Sequence, residues 1–178
     1  MKTSVRAELD GRSGASCPPA QVQAGKDLAD EVPPVQVMHA VWSAWADGNV
    51  DTVLSWYADD AVWSINLPRE LIPFGGESRG KVAIADVMTA AAAQFETLYF
   101  RPEHTDMRDG VVRCFIKYGV RHRLTGLVHE DMATYRCVVR GGLVRNVDAV
   151  YDVQQTRAFM GVVSERAANM ADDLLHLD

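Results

Sequence analysis

Asp131, His129, Tyr118 and Tyr151 are the side chains of this sequence best suited to moving protons. Asp131 stands between apolar positions in VHEDMATYRCVV. Burial there would raise its pKa by penalising the charged form, which makes a carboxylate a useful proton acceptor near neutral pH. His129 is two residues away, so on a strand it shares that face at roughly 6–7 Å. It could orient Asp131 through a water or act as the acid. Tyr118 and Tyr151 could donate hydrogen bonds to a developing enolate, the oxyanion role. Trp63, Ile65, Asn66, Ile116, Val120, Ala133 and Ala149 are the candidate walls, with Trp63 as floor and Asn66 as a polar contact. The competing reading is structural: an inward aspartate can pair with Arg or His, and buried tyrosines usually pack with a satisfied hydroxyl. His122, His129 and Asp131 also have the make-up of a two-histidine, one-carboxylate metal set. Nothing else in the sequence supports that set, so neither metal nor cofactor is expected.

Side-chain alternation decides which of these residues face inward. In residues 111–124 the even positions are Val112, Cys114, Ile116, Tyr118, Val120, His122 and Leu124, while Arg113, Lys117, Arg121 and Arg123 are odd. The even face is therefore the core face. On the next strand the odd set, His129, Asp131, Ala133, Tyr135, Cys137 and Val139, is the more apolar. A two-residue loop at Thr125-Gly126 agrees, since directly opposed residues point to one face. It pairs Leu124 with Leu127, His122 with His129, Val120 with Asp131 and Cys114 with Cys137. A three-residue loop at 140–142 would then set Tyr151 opposite Asp131 and Ala149 opposite Ala133, with Val147, Ala149 and Tyr151 inward.

The elements that carry these strands follow from periodicity. Residues 1–32, rich in Gly, Ser, Ala and Pro, read as a mobile tail. Met38, Val41, Trp42 and Trp45 have helical spacing over 35–47, and Gly48 stops that helix. Val50, Val53, Leu54 and Tyr57 repeat the spacing up to Asp59-Asp60. A strand over 61–67, a loop over 68–80 and a helix over 81–95 come next. Strands are predicted at 97–107, 111–124, 128–139 and 143–153, with turns at Asp109-Gly110, Thr125-Gly126 and Gly141-Gly142. Residues 156–178 form a closing helix whose stripe is Phe159, Val163, Arg166, Met170, Leu174 and Leu177. Helices first and antiparallel strands after is an α+β pattern, here one domain over 33–155 with an added C-terminal helix.

The totals narrow the partners. At 178 residues and 48% hydrophobic the chain can bury a core. A net charge of −6 argues against nucleic acid, which wants a basic stripe. No apolar run approaches the roughly 20 residues of a membrane span. Lys2 and Arg6 have no apolar stretch behind them, unlike a signal peptide. Three cysteines, Cys17, Cys114 and Cys137, suit a reducing compartment, so a cytoplasmic location is expected.

The segment AWADGNVDTVLSWYADDAVW resembles the helix–helix–strand opening of SnoaL-like and ketosteroid-isomerase-like proteins of the nuclear transport factor 2-like superfamily. SRGKVAI, RLTG and GGLVRNVDAVYD are similar to that family's third helix, central hairpin and terminal strand; the likeness spans roughly residues 35–155. The resemblance implies a curved sheet wrapped by about three helices into a cone around an apolar pocket. It also implies a homodimer through the outer sheet face. The family includes isomerases, cyclases, dehydratases, epoxide hydrolases and non-catalytic binding modules. Its steroid isomerases place a tyrosine and two aspartates where this chain has Val41, Ile65 (or Asn66) and Ala133. Its limonene epoxide hydrolases place an Asp-Arg-Asp set where Ile116, Tyr118 and Ala149 stand. Neither chemistry is carried over. The resemblance implies instead cofactor-free acid/base proton transfer on a small apolar carbonyl or hydroxyl compound: isomerisation, cyclisation or dehydration. A non-catalytic ligand-binding or assembly module is the alternative. The small subunit of a ring-hydroxylating dioxygenase shares the fold, but no local motif points to it.

Overall fold

Pro33-Pro34 opens the first helix, where a missing N–H costs nothing. In the computed structural model, which describes residues 32–175, α1 runs Pro34–Ala46. Its buried face is Val37, Met38, Val41 and Trp42, and each fully buried apolar side chain contributes ~1.5–3 kcal/mol. Asn49 starts α2 (Val50–Ser55) by accepting the Thr52 N–H at 3.0 Å. That helix stops two residues short of Tyr57. Tyr57 belongs instead to strand β1 (Tyr57–Ile65), where it pairs with Val144 and is buried. The predicted loop over 68–80 contains a short edge strand, β2 (Gly76–Arg79), too brief and polar to show in the apolar pattern. α3 is Lys81–Gln94, with Ile84 and Met88 buried.

The long strands are β3 (Phe95–Arg108), β4 (Val111–His122), β5 (Val128–Arg140) and β6 (Leu143–Val150). With β1 and β2 they make one six-stranded sheet in the order β2-β1-β6-β5-β4-β3. β1 and β6 run parallel and every other pair is antiparallel, so the sheet is mixed. It is open and curved. α1 lies across β3, β4, β5 and β6, and α3 packs on β1, β2 and β3. This is the α+β cone. Its core is the inner sheet face, and Val112, Cys114, Ile116, Ala133, Tyr135, Cys137, Val147 and Ala149 are buried there as alternation predicts.

Register departs from the predicted pairing in two places. His122 pairs with Leu127, so the β4–β5 loop has four residues rather than two, and Tyr118, not Val120, lies opposite Asp131. The favoured two-residue loops need a left-handed backbone at the first position, and type I′ at both. Gly126 supplies it (φ 72°), but β-branched Thr125 does not. The slip is two residues, an even number, so every side chain keeps its face. Cys114 thus faces Tyr135 and Cys137 faces Val112, leaving two buried free thiols; Cys17 lies outside the described residues. The β5–β6 loop is the two-residue Gly141-Gly142, both left-handed (φ 57° and 67°). A bulge at Val138/Val139 then sets Ala149 opposite Tyr135 rather than Ala133, and β6 ends before Tyr151.

The closing helix α4 spans Val153–Leu175, starting three residues earlier than predicted. Asp152 begins it, accepting the N–H groups of Gln154 (2.8 Å) and Gln155 (2.9 Å). Phe159 is half-buried and Val163 buried, whereas Arg166 and Met170 are exposed. The side chains of Leu174 and Leu177 lie outside the described residues, as does the predicted tail up to residue 31. Among the described residues no helix is long and apolar enough to cross a membrane.

Candidate functional site

The cone encloses a cavity of about 340 Å³, within the ~300–1,000 Å³ range of small-molecule sites. Its floor is the inner sheet: Trp63, Ile65, Tyr118, Val120, His129 and Tyr135. Ile72 and Phe74 come from the loop before β2, Val87 and Ala91 from α3, and Phe95 and Phe100 from β3. Tyr151, Thr156, Phe159 and Met160 close it from the β6–α4 side. Phe159 stacks on the His129 ring (4.8 Å between centroids, 23° between planes) and leans on Phe95.

Few polar groups enter this apolar space. His129 Nε2 and the Trp63 indole N–H are buried without a partner. Buried tryptophan and histidine nitrogens normally find one, so each keeps an unused hydrogen-bonding capacity beside the cavity. Burial lowers the His129 pKa, and the negative charge of Asp131 partly opposes that. The imidazole is therefore neutral at pH 7. The Tyr135 and Tyr151 hydroxyls are 2.6 Å apart, so one donates to the other. Burial raises both tyrosine pKa values; the bond and charge of Tyr151 push Tyr135 further up, while the bond from Tyr135 brings Tyr151 back down. Whichever hydroxyl donates, the other keeps its proton for a third partner. Tyr118 is raised chiefly by burial, then by Tyr151, Asp131 and Asp152.

Trp63, Ile65, Tyr118, Val120, His129 and Tyr151 thus line one cavity. Ile116, Ala133 and Ala149 are buried in the sheet but are not part of its wall. Asn66 is spent on the backbone of Tyr151: its Oδ1 accepts the Tyr151 N–H at 2.8 Å and its Nδ2 donates to the Tyr151 carbonyl at 2.9 Å. Asp131 stands behind the wall. Its Oδ1 accepts the Met132 N–H at 2.7 Å, its Oδ2 is buried without a partner, and across the strands it faces Tyr118. His122 is turned into the hairpin, with Nδ1 3.0 Å from Thr125 Oγ1. Among the described residues no group of three His, Cys, Asp or Glu is placed to hold a metal ion. Of the positions aligned with steroid-isomerase acids, Val41 and Ala133 are core and Ile65 is wall.

Sequence reasoning missed Tyr135 as a site residue. It sat on the inward face, but its meeting with Tyr151 depends on the bulge before Val139. Phe74, Phe95 and Thr156 come from elements whose convergence no local spacing encodes.

Comparison with known proteins agrees with this architecture. Residues 38–147 match the family described as the SnoaL-like domain. No curated protein matches the chain. Among solved structures it is similar to TerC co-crystallised with polyporic acid (TM-score 0.65, 15% identity, 71% of this chain and 97% of that one). It is also similar to a nuclear transport factor 2-like protein from Burkholderia xenovorans LB400 (TM-score 0.61, 23% identity, 71% and 93%). A third is a hypothetical protein with a ketosteroid isomerase-like fold from Catenulispora acidiphila, in complex with trimethylamine (TM-score 0.62, 15% identity, 73% and 95%). At these identities the structural likenesses speak for the fold.

Proposed function

The chain belongs to the SnoaL-like domain family, and on that premise we propose that it transfers protons, without a cofactor, on a small apolar carbonyl or hydroxyl compound held inside the cone. The observation that carries this is an apolar cavity holding one neutral imidazole and a hydrogen-bonded tyrosine pair. In this reading His129 Nε2 takes the proton from a carbon beside the carbonyl. The Tyr151 hydroxyl, oriented by Tyr135, and the Trp63 N–H stabilise the oxygen as it gains charge. Asp131 acts one step back, its carboxylate favouring the imidazolium once formed. Returning the proton to another atom completes an isomerisation; expelling a hydroxide or closing a ring gives dehydration or cyclisation. That TerC was co-crystallised with polyporic acid supports an organic ligand in such a cone.

The test is native mass spectrometry of freshly purified protein, followed by turnover of whatever compound it retains. His129→Gln is expected to lower turnover ~10²–10⁴-fold, the usual contribution of a positioned general base. Asp131→Asn should lower it less, since Asp131 does not reach the cavity. Full turnover by His129→Gln would overturn the mechanism. Tight binding with no turnover in the unmodified protein would leave a ligand-binding module.

A further inference from the structure

Arg123 is the one positively charged side chain on the wall of the cavity among the described residues. It follows β4 in the four-residue hairpin loop and reaches over to the end of α3. Its backbone N–H donates to the Gln94 carbonyl at 2.9 Å, and its Nε donates to the Ala92 carbonyl at 2.8 Å. α3 has no basic residue in its last turn, so Arg123 serves those carbonyls from outside the helix. That accounts for Nε and for the position of the residue, but not for the rest of the guanidinium. A planar fork anchored through Nε keeps both Nη groups for another acceptor.

No carboxylate of the described residues takes them. Glu96, an acid on the cavity wall, is held by Arg121, with Nη1 2.9 Å from its Oε2. The other ion-paired basic residues, Arg79, Lys81, Arg108 and Arg145, have partners away from the cavity wall. The cavity therefore carries, on its exposed side, a cation held in place through Nε, with both Nη groups free of carboxylate partners among the described residues. Resting on the reading of the cavity as a small-molecule site, we propose that its ligand is an amphiphilic anion: an apolar ring body inside the cone and an oxyanion group, of carboxylate type, on Arg123 at the rim. Such a bond supplies orientation, because it fixes which end of the ring body reaches His129 and Tyr151.

A matched pair of dyes tests this. Anilinonaphthalene sulfonate carries an anionic group that phenyl-naphthylamine lacks. Both are titrated against the full chain by fluorescence, alone and in competition. The anionic dye should displace the neutral one and bind roughly fivefold more tightly, the size of one partly exposed charge contact. That advantage should shrink with added salt and disappear in Arg123→Gln, where neutral-dye binding is unchanged. Binding of the neutral dye without displacement by the anion would overturn the proposal and leave the cavity reading standing. So would an anion preference that survives in Arg123→Gln, or an equal loss of both dyes there, which would mark Arg123 as only a helix cap. Failure of the unmodified protein to bind either dye would overturn both readings.

Discussion

Two histidines on the inner sheet face, His122 and His129, have pKa values held below the ordinary 6.5 by burial. Both stay neutral in the folded protein at a pH where the unfolded chain has taken up protons. In that window the unfolded state binds more protons, so stability rises with pH. The expected result is a melting temperature that is flat above neutrality and falls as pH drops below about 6.5. A His122→Gln/His129→Gln double variant should lose most of that slope, as thermal melts across pH 5–8 would show. If the slope is unchanged, the titrating groups lie elsewhere. At this scale the sequence was informative about orientation and poor about contact. His129 and Tyr118 were placed inward by simple alternation, and both line the cavity. Asp131 shared that parity, yet its carboxylate turns to the Met132 amide. Parity assigns a face, whereas reaching the cavity depends on depth along the curved strand.

At the scale of elements, the helix α4 matters most to access. Its inward residues up to Val163 are Val153, Thr156, Phe159, Met160 and Val163, and most of the helix beyond them is exposed. Asp152 is its N-cap, and replacing it with Ala is expected to cost ~1 kcal/mol, or ~2–4 °C in melting temperature for a chain of this size. The same variant should release a cavity-bound dye faster, because Phe159 lies in the turn that follows directly on a frayed first turn. A melting shift with unchanged dye release would separate the cap from access. The cap was readable as an aspartate after a strand, but Tyr151 and Val153 continued the apolar alternation and drew the predicted strand past it. The helices α1 and α3 were legible nearly to the residue, since each buries one stripe of regular spacing. The β4–β5 loop was not, because a Thr-Gly pair suits a two-residue turn only if Thr accepts a left-handed backbone.

For the molecule as a whole, the outer sheet face carries a strip of exposed apolar side chains. Phe115, Met132 and Val150 are exposed on adjacent strands, with Phe115 and Val150 both opposite Thr134. We propose this face as the contact of a homodimer. Sedimentation of the unmodified protein should give twice the 19.6 kDa chain mass. Phe115→Glu with Met132→Glu should give the monomer with its cavity intact. A monomer at all concentrations for the unmodified chain would remove the dimer.

Asn66 grips Tyr151 at both its amide and its carbonyl, so the end of β1 is tied to the residue from which α4 departs. That tie divides the moving from the fixed. A helix held at its root by a two-point latch can swing about Asp152, but it cannot slide along the sheet. Were the helix to swing, the two bonds to Asn66 would keep the Tyr151 backbone on the sheet and its ring beside Tyr135. Entry to the cone would then be a hinge event that leaves the reacting groups assembled, so opening time and chemical competence are set by different parts of the chain.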